Sequence, residues 1–188
     1  REGMTYAVLS KQPIITQDRT FPLPFAYGYG DLLDRDLNAS ALNTVQMNAA
    51  ALSCADIRLK EGRLFEAEDY QINAELPILV GSAYMDELAI GDSFSGDYLG
   101  VLFTFQVVGI LEQGSSYPSH KHVPLDRAIV MPALEGTAPL SAEETRFQQK
   151  LYLDHTNGYI FTDKGIFSIQ SEVDDLCRSA GISPYILV

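Results

Sequence analysis

The chain has little basic charge, little cysteine and no long apolar run. Its 188 residues include 13 lysines and arginines against 25 aspartates and glutamates, which gives a formal net charge of -12. This balance argues against a nucleic acid partner, because a polyanion is bound by a basic face. It also argues against adsorption to anionic lipid. No apolar run approaches the roughly 18 to 20 residues needed to cross a bilayer, so no transmembrane helix is predicted.

Cysteine chemistry finds no support in the sequence. Cys54 and Cys177 are far apart and belong to no C-x-x-C pair, which argues against a zinc knuckle or a thioredoxin-like redox site. Two interpretations stay open. The residues are buried free thiols, which is the simpler interpretation, or they form one disulfide in an oxidising compartment.

Signatures of catalysis are also missing. The sequence has no G-x-S-x-G elbow, no H-E-x-x-H pattern and no glycine-rich phosphate-binding pattern. His120 and His122 share a face if the chain is extended there, and with His155 they could bind a metal or act in acid–base catalysis. Pro118 and Pro124 flank the first two, which favours a solvated loop. We therefore predict no catalytic residue, no metal, no cofactor and no enzymatic activity.

Carboxylate pairs give no stronger indication of chemistry. Asp97 with Asp126, and Asp174 with Asp175, are the pairs that an acid–base mechanism would use. Adjacent residues on a helix point away from each other, so Asp174 and Asp175 are expected on its solvated face. Asp163 precedes that helix and is better placed to cap it.

The composition itself is that of a folded globular protein. Apolar residues make up 46% of the chain and charged residues 20%, which argues against extended disorder. A chain of this length can form one ordinary domain or two small lobes around a buried core. It begins with Arg1-Glu2-Gly3, without an initiator methionine or a signal peptide. We therefore expect an excised piece or a mature fragment.

The first third of the chain predicts short strands separated by irregular segments. An apolar run at residues 6–10 is typical of a strand, and prolines and glycines make residues 11–36 irregular. Apolar and polar residues alternate over residues 42–48, which predicts a strand with one buried face. Residues 49–59 fit a strand or a helix.

The middle third predicts a small curled sheet with glycine turns. Five consecutive apolar residues at 76–80 indicate a strand that is covered on both faces. Ser82 is placed to cap a short helix through Ala89. A further strand at residues 129–131 is limited by Pro132, which cannot extend a hydrogen-bonded ladder.

A pair of strands is predicted between that helix and residue 111. Residues 93–105 and 106–111 are interpreted as neighbouring strands with breaks at Gly96 and Gly100. Aromatic and apolar side chains alternate along them and are expected to point inward: Phe103, Phe105 and Val107.

The last third changes to helical patterns. Ser141 with Glu144 has the spacing of a capping box, which predicts a helix over residues 142–150. A strand at 159–162 precedes a second helix, whose apolar stripe runs from Ile166 to Cys177 and which Gly181 ends. A final strand is predicted at 184–188. Strand, helix and strand in this order predict a crossover unit packed on a sheet.

Together these patterns predict an α+β fold with two lobes. One lobe contains the βαβ unit and is formed by both chain ends, residues 1–58 and 138–188. The other, residues 59–137, is small, mostly β and inserted into the first. A groove between lobes is where a ligand would be sought first.

Residues 56–132 resemble a known family, the MacB-like periplasmic core domain of MacB/FtsX-type ABC transporter permeases. Glu61-Gly62-Arg63-Leu64-Phe65 followed by Glu68-Asp69 is similar to its E-G-R-x-F…D segment, and residues 77–81 resemble the strand that follows. Gly91-Asp92 with residues 105–110 resembles its G-D…f-x-V-V-G-I hairpin, and residues 128–132 its a-i-y-v-P strand. The resemblance assigns structural roles to Gly62, Arg63, Phe65, Asp69, Gly81, Gly91, Asp92, Val107, Val108, Gly109 and Pro132.

The resemblance implies a non-catalytic, extracytoplasmic domain of an ABC transporter permease, on the periplasmic or extracellular side of the plasma membrane. Its implied partners are flanking transmembrane helices of the same permease and, indirectly, a cytoplasmic ATP-binding subunit or domain. The domain would relay ATP-driven motion to export, or to engagement of a peptide, lipoprotein or protein partner. A homodimer in the full transporter is also implied.

The matched residues have physical interpretations of their own. Gly62 and Gly109 suit backbone positions where a side chain would clash or where φ is positive. Arg63 is either solvated or makes a planar, paired contact that fixes a corner between the lobes. The acids available for that contact are Glu61, Glu68 and Asp69.

Two other functions stay open from the sequence. The run from Phe21 to Tyr29 is rich in tyrosine and proline and would suit a free-standing secreted or surface-attached module that binds a ligand or peptide. A secreted hydrolase that uses His120 or His122 is the third interpretation.

Overall fold

The computed structural model describes residues 4–18, 21, 39–118, 122–136, 141–164, 166–179 and 181. These residues have mixed α+β structure, mostly sheet with few helices. The strands are β1 Met4–Ser10, β2 Ile14–Thr16, β3 Ser40–Leu42, β4 Thr44–Met47, β5 Leu59–Gly62, β6 Glu75–Val80, β7 Ser93–Tyr98, β8 Val101–Leu111, β9 Ser116–Tyr117, β10 Val123–Pro124, β11 Ile129–Pro132 and β12 Gly158–Thr162. The helices are α1 Ala49–Cys54, α2 Ala142–Asp154 and α3 Ile166–Ser179.

Ten strands form one mixed sheet in the order β12-β1-β4-β11-β6-β8-β7-β2-β3, with β5 paired to β8 outside this path. The 11-residue β8 therefore pairs with three strands. It runs parallel to β6 and antiparallel to β5 and β7. Strands β9 and β10 form a separate antiparallel pair. Parallel neighbours cannot be joined by a tight turn. The chain therefore passes from β6 through β7, which pairs with the opposite edge of β8, before it forms β8.

The centre of the sheet is buried on both faces, as predicted for residues 76–80. Leu76, Ile78, Leu79 and Val80 of β6 are fully buried, and all four residues of β11 are buried. A continuous apolar run suits a strand that has neighbours above and below. This part of the fold therefore follows from local composition.

The prediction for residues 42–48 was wrong in two respects. Asn43 separates β3 from β4, and all four residues of β4 are buried rather than one face of it. Strand β4 lies between β1 and β11. Its polar Gln46 is only 1% exposed and is tolerated there because Ser10 and Gln12 hydrogen-bond to it.

Strands β7 and β8 form a hairpin that differs from the predicted one. Gly96 lies inside β7, and β8 continues without a break through residues 105 and 106. The turn is made by Leu99 and Gly100, both with positive φ of 57° and 89°, which matches the twist that a two-residue hairpin needs. Asp97 accepts a hydrogen bond from the Gly100 amide at 2.9 Å. Gly96 instead permits close packing, since a Cβ there would lie 2.6 Å from Ile14.

An aromatic cluster joins this hairpin to α2. Phe103 and Phe105 of β8 are buried, with Val107, as predicted. Phe105 lies 5.6 Å from Phe94, and Phe103 lies 5.5 Å from Phe147 of α2, measured between ring centroids. Tyr98 contacts the Phe147 ring edge-on at 6.2 Å. Such pairs add about 0.5–1.5 kcal/mol to the stabilisation from burial, so α2 is fixed on this face of the hairpin.

The helix predicted from Ser82 to Ala89 is a single 3₁₀ turn, Ser82–Tyr84. Its N-cap is Gly81, which has no side chain with which to cap the turn. Ser82 is the first residue of the turn, and its hydroxyl donates a hydrogen bond to Asp126 at 2.8 Å. Tyr84 and Leu88 are buried, and the Leu88 and Glu87 amides donate to the Tyr84 carbonyl at 2.8 and 2.9 Å. Packing and these two backbone bonds therefore hold the segment after the turn.

The helices of the last third match their predictions closely. Ser141 accepts a hydrogen bond from the Glu144 amide at 3.1 Å and so caps α2, which extends to Asp154 rather than ending at residue 150. Strand β12 and helix α3 occur where expected. Gly181, predicted to end α3, has a positive φ of 70°. The strand predicted at 184–188 lies outside the described residues, so the crossover unit stays a prediction.

The chain divides into two compact units. One comprises the described parts of residues 1–6 and 160–188, and the other the described parts of residues 7–159. The first contains α3, and the second contains α1, α2 and most of the sheet. The predicted lobes, residues 1–58 with 138–188 and residues 59–137, have other boundaries and stay a prediction.

Candidate functional site

The motif residues that carry the family resemblance meet around β8. Gly62, the last residue of β5, pairs with Gly109 of β8. A Cβ on Gly62 would lie 2.8 Å from the Gly109 Cα, and its φ of 85° is also one that side chains disfavour. A Cβ on Gly109 would lie 2.7 Å from both the Arg63 carbonyl and the Leu79 side chain. Both positions therefore require glycine, as the sequence predicted.

The chain turns sharply after β5, and an ion pair holds the turn. We call residues 62–70 the corner segment. The Arg63 amide donates to the Val108 carbonyl at 2.9 Å. The Arg63 guanidinium donates through Nη1 to Asp69 Oδ2 and through Nη2 to Asp69 Oδ1, the latter at 3.1 Å. Of the interpretations for Arg63, the structure shows the paired one, with Asp69 as the partner.

Asp69 is held by more than the arginine. Its Oδ2 also accepts from the Glu66 amide at 2.8 Å, so it closes a capping box on the 3₁₀ turn Ala67–Tyr70. Burial alone would raise the pKa of the Asp69 carboxyl, but the bonds from Arg63 and Glu66 hold that pKa below its ordinary value. The same bond to Asp69 raises the pKa of Arg63. The ionised pair is therefore the stable form of the corner.

Phe65 packs against Tyr70 at the end of the corner segment. Its ring lies 6.2 Å from the ring of Tyr70 in an edge-on arrangement. Burial, with smaller contributions from the charges of Asp69 and Glu135, raises the pKa of Tyr70 to about 12. The Tyr70 carbonyl accepts from the Glu135 amide at 2.7 Å, which connects the corner segment to the chain that follows β11.

The second glycine motif, Gly91-Asp92, is also hydrogen-bonded to β8. Gly91, with a φ of 88°, donates to the Val107 carbonyl at 2.8 Å, and the Val107 amide donates to the Asp92 carbonyl at 2.9 Å. The Asp92 carboxylate accepts from the Ala89 amide at 3.0 Å and so closes the turn. Val108, the adjacent motif residue, is buried. Gly91 and Asp92 are thus hydrogen-bonded structural elements of the sheet.

Gly81 and Pro132 complete the motif residues. A Cβ on Gly81 would overlap the backbone carbonyls of Leu125 and Asp126, and its amide donates to the Ala128 carbonyl at 2.9 Å. Pro132 ends β11 and is paired with Met47 of β4. Gly81 is therefore placed by close backbone contact, and Pro132 by strand pairing.

The carboxylates considered as catalytic pairs have separate structural roles. Asp126 Oδ1 accepts from the Ser82 hydroxyl and from the Gly114 amide at 2.9 Å, and Asp97 closes the β7–β8 turn. Asp174 accepts from Gln170 at 2.8 Å, and Asp175 accepts from Arg178 at 3.0 Å, both along α3.

The histidines are not brought together among the described residues. His120 lies outside them, and His122 is exposed just before β10. His155 follows α2 and is half-buried, where burial lowers the pKa of its imidazole against the opposing charge of Glu135. No group of three or more metal-binding side chains occurs in the described ranges.

The two cysteines and the run from Phe21 to Tyr29 are the remaining candidates from the sequence. Cys54 and Cys177 are both free thiols, the first partly exposed and the second buried. Of the run from Phe21 to Tyr29, only Phe21 is described. Phe21 is buried, and its ring lies 6.0 Å from Tyr84 and 5.7 Å from Phe94, so at this position the run contributes to the core.

A buried polar network escaped the sequence analysis. Gln46 Oε1 accepts from the Ser10 hydroxyl at 3.1 Å and from the Gln12 amide at 2.8 Å, and Gln46 Nε2 donates to the Gln12 carbonyl at 2.9 Å. The Gln12 side chain donates to Asp154 Oδ1 at 2.8 Å. Asp154 is 6% exposed, and its Oδ2 has no hydrogen-bond partner within the described chain. Burial raises the pKa of its carboxyl, and the bond from Gln12 offsets this in part.

Clefts are found at several places on the unit of residues 7–159. One, of about 750 Å³, includes Lys60, Met85, Glu112 and Arg127. Its Asp126 and Ser82 are bonded to each other, and Glu112 lies 3.9 Å from Arg58. Two others, about 390 and 410 Å³, are both lined in part by the exposed Leu102. A fourth, about 340 Å³, lies beside residues 9–12.

Two solved structures resemble this chain over nearly its whole length. The periplasmic region of MacB from Actinobacillus actinomycetemcomitans matches 99% of this chain and 72% of its own, with a TM-score of 0.52 and 12% identity. The fold is that of the MacB periplasmic region. The extracellular domain of the noncanonic ABC-type transporter YknZ from Gram-positive bacteria matches 97% of this chain and 78% of its own, with a TM-score of 0.48 and 12% identity.

The likeness to the MacB region confirms the predicted resemblance and the α+β class at the level of fold. No family model matches the sequence, and no curated protein matches it. Within the described ranges, no helix has both the length and the apolar character that crossing a membrane requires.

Proposed function

We propose that this chain is an extracytoplasmic domain of an ABC transporter permease of the MacB/FtsX kind, with no catalytic activity of its own. The observation that carries the proposal is the MacB-like fold, which extends over 99% of the chain. The motif residues support it, since they hold the backbone around β8 and present no reactive group. A MacB-like domain built for stiffness fits a mechanical or binding role.

In this proposal the domain transmits motion. The flanking transmembrane helices of the same permease would move it when a cytoplasmic ATP-binding subunit or domain hydrolyses ATP. The unit of residues 7–159 has a continuous core, and a body with such a core moves as one piece. The close contact of Gly62 with Gly109 and the Arg63–Asp69 pair supply this stiffness near β8. The motion would serve export, or engagement of a peptide, lipoprotein or protein partner outside the membrane, and a homodimer in the full transporter belongs to the same proposal.

The predicted lobes are part of this proposal. If residues 59–137 form a lobe inserted into one built from residues 1–58 and 138–188, brief proteolysis should release that lobe as a resistant fragment. Cleavage near residues 58 and 137, followed by mass spectrometry, tests this. Resistant fragments with other ends would show that the predicted lobe boundaries are wrong.

The location can be tested by labelling in intact cells. Asp86 is exposed, and a cysteine introduced there as Asp86→Cys, in a full-length parent protein without Cys54 and Cys177, gives one reactive thiol in this domain. A maleimide that cannot cross membranes should label it without permeabilisation. A cysteine placed in the cytoplasmic ATP-binding subunit is the matched control and should be labelled only after permeabilisation.

Labelling of the Asp86→Cys protein only in permeabilised cells would overturn the extracytoplasmic assignment. Purification of the parent protein gives a second test, because a permease should retain an ATP-binding subunit in mild detergent. A parent protein that is labelled from outside but has no such subunit would favour the free-standing binding module.

A further inference from the structure

Asn157 and Gly158 lie between α2 and the rest of β12 and form the one Asn-Gly pair in the sequence. Both residues are exposed, and Asn157 lines the cleft beside residues 9–12, so water has access to the pair. Both belong to the unit of residues 7–159. An asparagine side chain is most easily attacked by the next backbone nitrogen when glycine follows it, because glycine has no Cβ to hinder the approach.

The backbone of Asn157 is held, whereas its side chain is not. The Asn157 amide donates to the Asp154 carbonyl at 3.0 Å, and the Asn157 carbonyl accepts from the Leu9 amide at 3.1 Å. The Asn157 side chain makes no hydrogen bond within the described chain. It can therefore rotate toward the Gly158 nitrogen without breaking a contact.

The other described asparagines lack this combination. Asn48 caps α1, and its side-chain oxygen accepts from two backbone amides. The side chain of Asn43 donates to a backbone carbonyl at 3.3 Å. Asn73 is exposed, but its side chain donates to a backbone carbonyl at 3.5 Å, and Ala74 rather than glycine follows it. Asn157 is therefore the described asparagine best placed to react.

The bond from Leu9 also favours the first chemical step. When the Gly158 N–H loses its proton, the negative charge spreads over the peptide group to the Asn157 carbonyl oxygen. A fixed N–H that already donates to this oxygen stabilises that charge. The Leu9 amide is thus placed to assist the attack by the Gly158 nitrogen.

We propose that Asn157 is a site of covalent modification, which cyclises with Gly158 and then opens to isoaspartate. The Gly158 nitrogen forms a bond to Asn157 Cγ, the Cγ–Nδ2 bond breaks, and Nδ2 leaves as ammonia with the proton that the Gly158 nitrogen has lost. Water then opens the resulting succinimide. Breaking the original bond from the main-chain carbonyl to nitrogen gives isoaspartate, and breaking the new bond to Cγ gives aspartate. The inference does not depend on the proposed transporter function.

Isoaspartate would change the connection between α2 and β12. The peptide link would run through Cβ and Cγ of residue 157, which adds one methylene to the main chain. The turn after α2 is bonded to Leu9 of β1, and β12 is the neighbour of β1 in the sheet. The lengthened link cannot preserve both attachments, so the product should be less stable than the parent chain.

The first test is incubation of the purified chain at mildly alkaline pH, followed by peptide mapping with mass spectrometry. Asn157 should convert by a first-order process, and isoaspartate, identified by its backbone fragments, should exceed aspartate. Gly158→Ala, checked for folding by circular dichroism, should slow the conversion about tenfold because a Cβ hinders the attack. Aspartate as the sole product would indicate direct hydrolysis and overturn the proposal. An Asn157 that stays intact while a peptide of residues 152–162 converts would overturn it as well.

Ala74→Gly is the matched control for the role of Leu9. It creates a second exposed Asn-Gly pair, at residues 73 and 74, and the Asn73 carbonyl accepts no hydrogen bond within the described chain. Asn73 in this variant should convert several times more slowly than Asn157 in the same sample. Equal or faster conversion of Asn73 would overturn the assistance by the Leu9 amide.

The second test measures thermal unfolding of the isoaspartyl chain after chromatographic enrichment. Asn157→Asp is its control, since it has the same charge and an ordinary backbone. The isoaspartyl chain should unfold about 2–4 °C below this variant, as expected for the loss of one backbone hydrogen bond. Equal midpoints would mean that the added methylene leaves β1 and β12 in place, and would overturn the proposed loss of stability.

Discussion

Asp69 in the corner segment and Asp154 beside the cleft are the same residue type in opposite situations. Asp69 accepts hydrogen bonds from Arg63 and Glu66, and its pKa is lowered. Asp154 accepts one from Gln12, has one oxygen without a partner in the described chain, and its pKa is raised. The surroundings of Asp69 stabilise the ionised carboxylate, whereas those of Asp154 favour the protonated acid. The difference teaches that hydrogen-bond donors around Asp69 compensate its charge, whereas the network around residues 9–12 leaves one buried carboxylate oxygen of Asp154 without a partner in the described chain.

The largest loss of stability is expected where the corner segment meets β8. Gly62→Ala adds a methyl group against the Gly109 backbone at a φ of 85°. Backbone strain and overpacking together should lower the free energy of unfolding by about 3 kcal/mol, which corresponds to roughly 6–12 °C in thermal midpoint. Urea denaturation followed by circular dichroism measures this.

Gly91→Ala is the matched control for that substitution. Gly91 has a similar φ of 88°, but a Cβ there would meet nothing within 4 Å. This variant should therefore lose about 1–2 kcal/mol, the strain alone. Equal losses for the two variants would show that contact with β8 contributes nothing and would remove the argument for a tightly packed corner.

The second-largest effect on stability is expected from the Asp69–Arg63 pair, and it depends on pH. Since the folded pKa of Asp69 lies below its unfolded value, the pair contributes stability above about pH 4, and this contribution is lost as the pH falls through the folded pKa. Asp69→Asn should lower the stability at pH 7 by about 1 kcal/mol, a modest figure because Arg63 is partly exposed. Urea unfolding at pH 7 and pH 2.5 should show that the difference shrinks at the lower pH. A difference that is unchanged between the two pH values would contradict an ionic role for the pair.

The smallest effect on stability is expected at Asp154, and its pH dependence is opposite to that of the Asp69–Arg63 pair. Because its folded pKa lies above its unfolded value, the folded state prefers the protonated acid, and stability is lost as the pH rises through the folded pKa. Asp154→Asn keeps the acceptor for Gln12 and removes the charge. It should be as stable as the parent chain below about pH 4, and more stable at pH 7 by up to about 1 kcal/mol.

The two aspartate variants serve as controls for each other. Unfolding curves from pH 3 to pH 8 should give slopes of opposite sign for Asp69→Asn and Asp154→Asn, each relative to the parent chain. If Asp154→Asn loses stability as the pH rises, its carboxylate has a partner in solution and the contrast between the two regions fails.

The sequence was sufficient wherever the signal was local. The apolar run at 76–80 predicted a doubly buried strand, and Ser141 with Glu144 predicted the start of α2. Glycine at 62 and 109 predicted backbone crowding. The sequence failed at Ser82, whose hydroxyl bonds to Asp126 rather than to a helix, and at Gly96, which permits packing inside β7. In both cases a residue distant in sequence competes with the local preference and wins.

Part of the candidate site could not have been found in this way. The bond from Gln12 to Asp154 joins residues 142 positions apart, and neither residue type carries a periodic signal. The burial of the Tyr117 hydroxyl without a partner in the described chain is likewise a property of the assembled surroundings and not of a local pattern.

The sequence by itself determined the strand-forming runs, the starts of the helices in the last third, the glycine positions and the order of motif segments. These depend on side-chain volume, periodicity and backbone conformation within a few residues. Only the tertiary structure decided that Arg63 pairs with Asp69 among three nearby acids, that Gln46 and Asp154 are buried, and that Lys11 lies over Tyr117. These contacts follow from the order of strands in the sheet, which is fixed by burial of the whole apolar surface together and not by any one segment.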